Sequence, residues 1–273
     1  MKVAMLGSGS RGNATILVGE ETRILVDAGF SARQMARRLE VLGIEPESLD
    51  AIVVTHDHGD HTRGIGVWAR RYGTPVYLTE PTRAVCAGLF RGREEVRSYQ
   101  AGRPFRIGEF RVDPFLTVHD AADPVAVTVY REGCGTRVGI ATDLGRPTAG
   151  IRHSLAGCDF LILEANHDER MLRSGPYPVS VQARIASSHG HLSNHAAADF
   201  ARELLHPRLA GILLAHLSAE CNRPELALDV VGGVLRKKGY QGYLAAAGQD
   251  EPTELLVIEE LRERYGPGQL SLL

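Results

Sequence analysis

Short apolar runs alternate with amphipathic stretches along the whole chain. Val3–Leu6, Thr15–Val18 and Arg23–Val26 are apolar runs separated by Gly-rich turns, which predicts three strands. Ser31–Leu42 sets Met35, Leu39 and Leu42 at helical spacing with arginines between them, and Ser31 can cap that helix. Ala51–Val54 predicts a strand and Gly64–Tyr72 a helix; Phe105 to about Tyr130 reads as successive strands, followed by Val138–Ala141 and Phe160–Leu163. The second half keeps the rhythm. A helix is predicted over Asn194–Leu205 with Ser193 or Asn194 as its cap, then a buried strand Gly211–Ala215, a helix Pro224–Lys237 and a closing strand Leu255–Ile258. Many strands with helices flanking both halves predict an α/β protein, two packed sheets covered by helices. No repeat or linker interrupts the pattern, so residues 1–273 are expected to form one domain.

Composition narrows this only modestly. With 44 % hydrophobic and 23 % charged residues the chain is ordinary for a globular protein, which excludes a disordered one. It has no basic-then-apolar leader and no apolar run of about 18 residues, so a soluble cytoplasmic protein without membrane contact is expected. Its four cysteines form no C-x-x-C pair and are expected to be reduced, structural thiols. The net charge of −2 means that nucleic-acid binding would need a local basic patch. Arg33, Arg37, Arg38, Arg63, Arg70 and Arg71, with Arg91, Arg93, Arg97 and Phe90 further on, are the candidates for one.

The chemistry concentrates in residues 55–61, Thr-His-Asp-His-Gly-Asp-His, directly after the apolar run Ala-Ile-Val-Val. Imidazole nitrogen and carboxylate oxygen are donors suited to Zn, Mn or Fe. In an extended segment residues i and i+2 point the same way, so His56 and His58 are expected to share one ion. Asp60 and His61 follow Gly59, which lets the chain turn, and are expected to face a neighbouring position. More ligands are expected where later strands end: His119 closes Phe115–Val118, Asp143 follows Val-Gly-Ile-Ala-Thr, and His216 follows Gly-Ile-Leu-Leu-Ala. Each is a polar residue terminating a buried apolar strand, where open sheets build their sites.

Five ordered segments, LVDAG (25–29), THDHGDH (55–61), VHDAADP (118–124), ATDLG (141–145) and AHLS (215–218), resemble the motifs of the metallo-β-lactamase fold. GSGSRGN (7–13), EANHD (164–168), GPYP (175–178) and GHLSN (190–194) resemble more narrowly its YycJ/WalJ-like branch, related to ribonuclease Z-like and PhnP-like enzymes. The resemblance implies an αββα four-layer sandwich with two divalent ions, Zn²⁺ or Mn²⁺, at one edge. It assigns His56, His58 and His119 to the first ion, Asp60, His61 and His216 to the second, and Asp143 to both. Asp27 would orient the histidine loop without binding metal. The flavodiiron branch carries glutamate where this chain has His58, which argues against iron redox chemistry. GHLSN resembles an element whose histidine protonates a leaving oxygen, so His191 joins Asp60 as a residue expected to be essential for catalysis. Asn166 and His167 are candidate substrate contacts. GSGSRGN lacks the Gly-Lys-Ser/Thr ending of a nucleotide P-loop; in the resembling family this turn borders the active site, which makes Ser8, Ser10 and Asn13 candidate phosphate contacts. His153, His189, His195 and His206 lie outside any motif and are expected on the surface or in loops.

The branch implies a nuclease acting on DNA from the 5′ end. Two divalent ions with Asp60, Asp143 and a hydroxide keep about one net positive charge, matching the single negative charge of a phosphodiester. That count also admits a small-molecule phosphodiesterase for cyclic or nucleotide diesters, and an acyl hydrolase such as a thioesterase or lactonase. Oligomeric state is not legible.

Overall fold

Val3, Ala4, Met5 and Leu6 are all buried, as a strand covered on both faces requires. The computed structural model describes residues 1–265. The first six strands are β1 Lys2–Gly7, β2 Ala14–Val18, β3 Arg23–Val26, β4 Ala51–Val53, β5 Val76–Leu78 and β6 Val96–Ser98. Seven more follow: β7 Phe105–Ile107, β8 Phe110–Leu116, β9 Val125–Arg131, β10 Thr136–Ala141, β11 Phe160–Glu164, β12 Gly211–Ala215 and β13 Tyr243–Ala246. The last, β14, is Leu256–Val257. They form two sheets, β14-β1-β2-β3-β4-β5-β6 and β13-β12-β11-β10-β9-β8-β7.

Alternation along the strands separates three apolar layers. Val3 and Met5 of β1 face the other sheet and meet Val127, Val129, Ile140 and Ile162 in a shared core. Ala4 and Leu6 face outward, under the helices Ala32–Val41 and Ile65–Tyr72. The outer face of the second sheet is covered by helices Ala149–Leu155, Asn194–Glu203 and Pro224–Lys237, with Phe200, Val231 and Leu235 buried there. The result is the expected αββα sandwich, a single domain through the shared core. Ser31 and Gln34 close a reciprocal capping box, and Ser193 rather than Asn194 caps its helix.

Two local expectations change. The closing strand is only Leu256–Val257, paired with Val3 and Lys2; β1 runs out beyond Lys2, and Ile258 begins a helix, Ile258–Tyr265. Of the four cysteines, all free, Cys134 is exposed and three are buried. Burial pushes the Cys86 thiol up to about 11 and Cys158 to about 12, which keeps both protonated and inert. Among the described residues no helix is long and apolar enough to cross a membrane.

The parallel registers aim the sheets at one edge. β3 and β4 run parallel, as do β10, β11 and β12. Their carboxyl ends place Asp27, the 55–61 loop, Asp143, Glu164 and His216 side by side.

Candidate metal centre

The histidine loop leaves β4 extended and then closes into a short helix, Gly59–Thr62. His61 N–H and Thr62 N–H both donate to His58 O, and this turn sets His61 beside His56, their ring centroids 4.1 Å apart. The chain turns at Gly59 as expected, without a positive φ there. The glycine that matters is Gly29: a Cβ there would sit 1.6 Å from the Asp60 carbonyl, so only glycine lets the LVDAG loop lie against the helix.

Three non-glycine residues among those described have left-handed backbones: Asp27 (φ 63°), Asp143 (φ 58°) and His216 (φ 56°). Each sits just past the end of a strand, and all three belong to this site. Holding a non-glycine residue there costs on the order of 1–2 kcal/mol. The fold accepts that cost three times to turn these side chains inward.

Four of the five rings are gripped on one nitrogen, His58 being the exception. His56 Nδ1 lies 3.0 Å from Thr55 Oγ1, His61 Nδ1 2.7 Å from Asp27 Oδ2, His119 Nδ1 3.1 Å from Gly190 O, and His216 Nδ1 2.9 Å from Glu164 Oε1. Asp27 also accepts from Thr55 N–H at 2.7 Å, which ties the loop to β3. The other nitrogens converge. His56, His58 and His119 bring donor atoms within 4.8 Å of one another, and so do Asp60, His61 and His216. Asp143 stands between the two sets, Oδ2 3.2 Å from His61 Nε2 and Oδ1 3.5 Å from His119 Nε2.

Sequence reasoning passed over Glu164, the residue that ties this half together. Fully buried at the end of β11, its carboxylate accepts from His191 Nδ1 and His216 Nδ1, both at 2.9 Å. It also accepts from the backbone N–H groups of Asp143, Leu144 and Leu192. Burial alone would raise its pKa, yet His191 and His216 hold it down at about 2. Asp143, Glu164, His191 and His216 form another cluster of metal-ligating type. Their inner atoms are already engaged with one another, so the cluster acts as a bracket.

Burial pushes His56 and His119 below the usual imidazole range. Burial works against protonation of His61 and His216 too, but Asp143 outweighs it, joined by Asp27 at His61 and by Asp60 and Glu164 at His216. His61 is raised well above its ordinary value, and His216 to about 10. Asp60 and Asp143 are held far below the carboxylate range by these same histidines, against their burial. Carboxylates packed this closely against imidazoles favour positive charge at the centre of the site. Within the site, buried His56 Nε2 has no hydrogen-bond partner, and Asp143 Oδ2 has none beyond its approach to His61 Nε2. Orphaned donors of those types facing a shared space fit a divalent cation.

The remaining candidates divide. Ser10 and Asn166 line the adjoining cleft of about 280 Å³, together with His58, Asp60, His119, Asp143, His191 and His216. Ser8 and Asn13 do not reach it. Ser8 is fully buried and its Oγ accepts from His216 N–H at 2.6 Å; Asn13 Nδ2 lies 3.2 Å from Asp60 Oδ2 and 3.1 Å from His61 Nε2. They steady the donors from behind, in place of the phosphate contacts expected of them. His167 is buried away from the cleft. Of the unassigned histidines, His153 and His195 are exposed, His206 bonds Cys158 O, and His189 lines the cleft. The expected arginine patch is partly consumed by structure: Arg38 bonds Leu6 O and Gln249 O, Arg70 pairs with Glu94, and Arg97 with Glu95.

Fold and site together define a hydrolase of the metallo-β-lactamase type, and residues 22–212 match the β-lactamase superfamily domain, to which the chain belongs. Within it, the chain is 33 % identical over 239 residues to the exodeoxyribonuclease YycJ of Bacillus anthracis, covering 87 % of this chain and 90 % of that protein. It is 35 % identical over 230 residues to the exodeoxyribonuclease WalJ of Streptococcus pneumoniae, covering 83 % and 85 %. Among solved structures, the metallo-β-lactamase fold protein YhfI of Bacillus subtilis matches with a TM-score of 0.70 over 93 % of this chain and 99 % of that one, at 18 % identity. The resemblance carried by the motifs is thus borne out.

Proposed function

We propose that this chain is a metal-dependent DNA exonuclease that hydrolyses phosphodiester bonds from the 5′ end. The observation that carries the reading is the opposition of two donor sets across Asp143, with His191 in the same cleft. His56, His58 and His119 would hold one divalent cation, Asp60, His61 and His216 a second, and Asp143 both; Zn²⁺ and Mn²⁺ suit these donors. When bound, such ions ionise water near neutral pH and offset charge on the phosphoryl oxygens.

The chain's own residues do the rest. Glu164 holds His191 by Nδ1, fixing the tautomer and leaving Nε2 to donate a proton to the leaving oxygen. Glu164 also adds a buried negative charge that a count over Asp60 and Asp143 alone leaves out. Asn166, whose Nδ2 donates to His216 O at 2.8 Å, steadies the loop that carries the second donor set.

Purified protein with Mn²⁺ is expected to degrade end-labelled DNA, and Asp60→Ala to abolish this while keeping the circular-dichroism spectrum. Cleavage of a chromogenic diester with every oligonucleotide left intact would select a small-molecule phosphodiesterase instead. Thioester turnover without phosphodiester cleavage would select an acyl hydrolase.

A further inference from the structure

The cleft beside the donors is closed on one side by a wall that the mechanism does not use. It is built by residues 175–190, which run through Tyr177 and the helix Val179–Ile185 to Gly190. That helix buries none of its own residues, and Val179 is 80 % exposed, so core packing does not explain it. Yet the wall is anchored hard against the site. Gly190 O accepts from His119 Nδ1, and His191 N–H donates to Ile185 O at 2.9 Å. A Cβ on Gly190 would lie 2.2 Å from that same carbonyl, so only glycine permits the approach. The wall presents an aromatic ring, Tyr177, and one guanidinium, Arg184, to the cleft. Arg184 is met by Asp120, Nε to Oδ2 at 3.3 Å, with both side chains more than half exposed. An exposed pair of this kind is worth little and exchanges readily for a phosphate.

At about 280 Å³ the cleft is at the small end of ligand sites, which run from about 300 Å³ upward. It has room for a group about the size of one nucleotide, and residues 175–190 bound it on one side. We propose that Tyr177 and Arg184 form an end-recognition subsite: the terminal base of a single strand stacks on Tyr177, and Arg184 leaves Asp120 to grip a phosphate of that end. The wall thereby makes the enzyme act at termini. This deepens the exonuclease reading and rests on it.

The test is steady-state kinetics of the metal-loaded protein on labelled single-stranded DNA, with bis(p-nitrophenyl) phosphate as a substrate too small to need the subsite. Tyr177→Ala and Arg184→Ala are each expected to raise KM for DNA about tenfold, a conservative share of what one stacked base or one phosphate contact supplies. Turnover of the small diester should stay within about twofold, and Tyr177→Phe, which keeps the ring, should restore the wild-type KM. Unchanged KM for DNA in both alanine variants, or equal losses on both substrates, overturns the subsite and leaves the exonuclease reading standing. A wild-type protein that turns over the small diester but no DNA overturns both.

Discussion

The two sheets deliver their donors in different ways. The first supplies His56, His58, Asp60 and His61 from one loop of seven residues, shaped by a short helix and clamped by Asp27 and Asn13. The second supplies Asp143, Glu164 and His216 from three parallel strands, with His119 from the loop between β8 and β9 and His191 from the segment between β11 and β12. One half is a local motif whose geometry follows from its own sequence. The other exists only when registers spanning more than 70 residues are correct, and it is held by one buried carboxylate. The lesson is that the halves should fail differently when broken.

Glu164→Ala is expected to have the largest effect. It leaves five donors without their acceptor, two of them ring nitrogens. Removing one partner of such a buried charged network costs about 3–5 kcal/mol. Thermal unfolding should show that loss, and metal titration should show the second donor set weakened through His216. Next comes His191→Ala, which removes one of Glu164's five donors and, on the proposed mechanism, the proton donor. It should lower kcat about 10²–10⁴-fold with metal content unchanged, read by rate assays and elemental analysis in parallel. Asp27→Asn breaks only the first sheet's clamp on His61. Metal affinity measured against a chelator should fall about 10–100-fold, the range for a lost orienting partner, with little change in melting temperature.

A further expected effect is on pH. In metal-free protein His216 is raised to about 10, above its ordinary 6.5. Its protonation therefore stabilises the fold fully below about pH 6.5, and that contribution is lost as pH rises through about 10. Chelated protein should lose melting temperature over that window, and metal-loaded protein should not. Calorimetry at pH 7 in buffers of different ionisation enthalpy should register proton release on loading.

The same contrast explains what could be read from the chain. The histidine loop was legible because seven residues carry the whole pattern, and the strand-end rule located Asp143 and His216. That rule applies equally to Glu164, which ends the run Phe-Leu-Ile-Leu-Glu, although a lone buried glutamate carries no motif of its own. Ser8 and Asn13 are expected as substrate contacts only because this turn borders the active site in the resembling family. The structure spends their hydrogen bonds on Asp60, His61 and His216. The wall at 175–190 carries no periodicity, because a helix that buries nothing needs none. Short strands such as β5 and β6, three residues each, were likewise too brief to show a pattern.

The central claim is that donors from both sheets converge on a pair of cations. Anomalous diffraction from crystals grown with Mn²⁺ tests it most directly. Two peaks are expected, one among His56, His58 and His119 and one among Asp60, His61 and His216, with Asp143 touching both. A single peak, or one lying among Asp143, Glu164, His191 and His216, would contradict it.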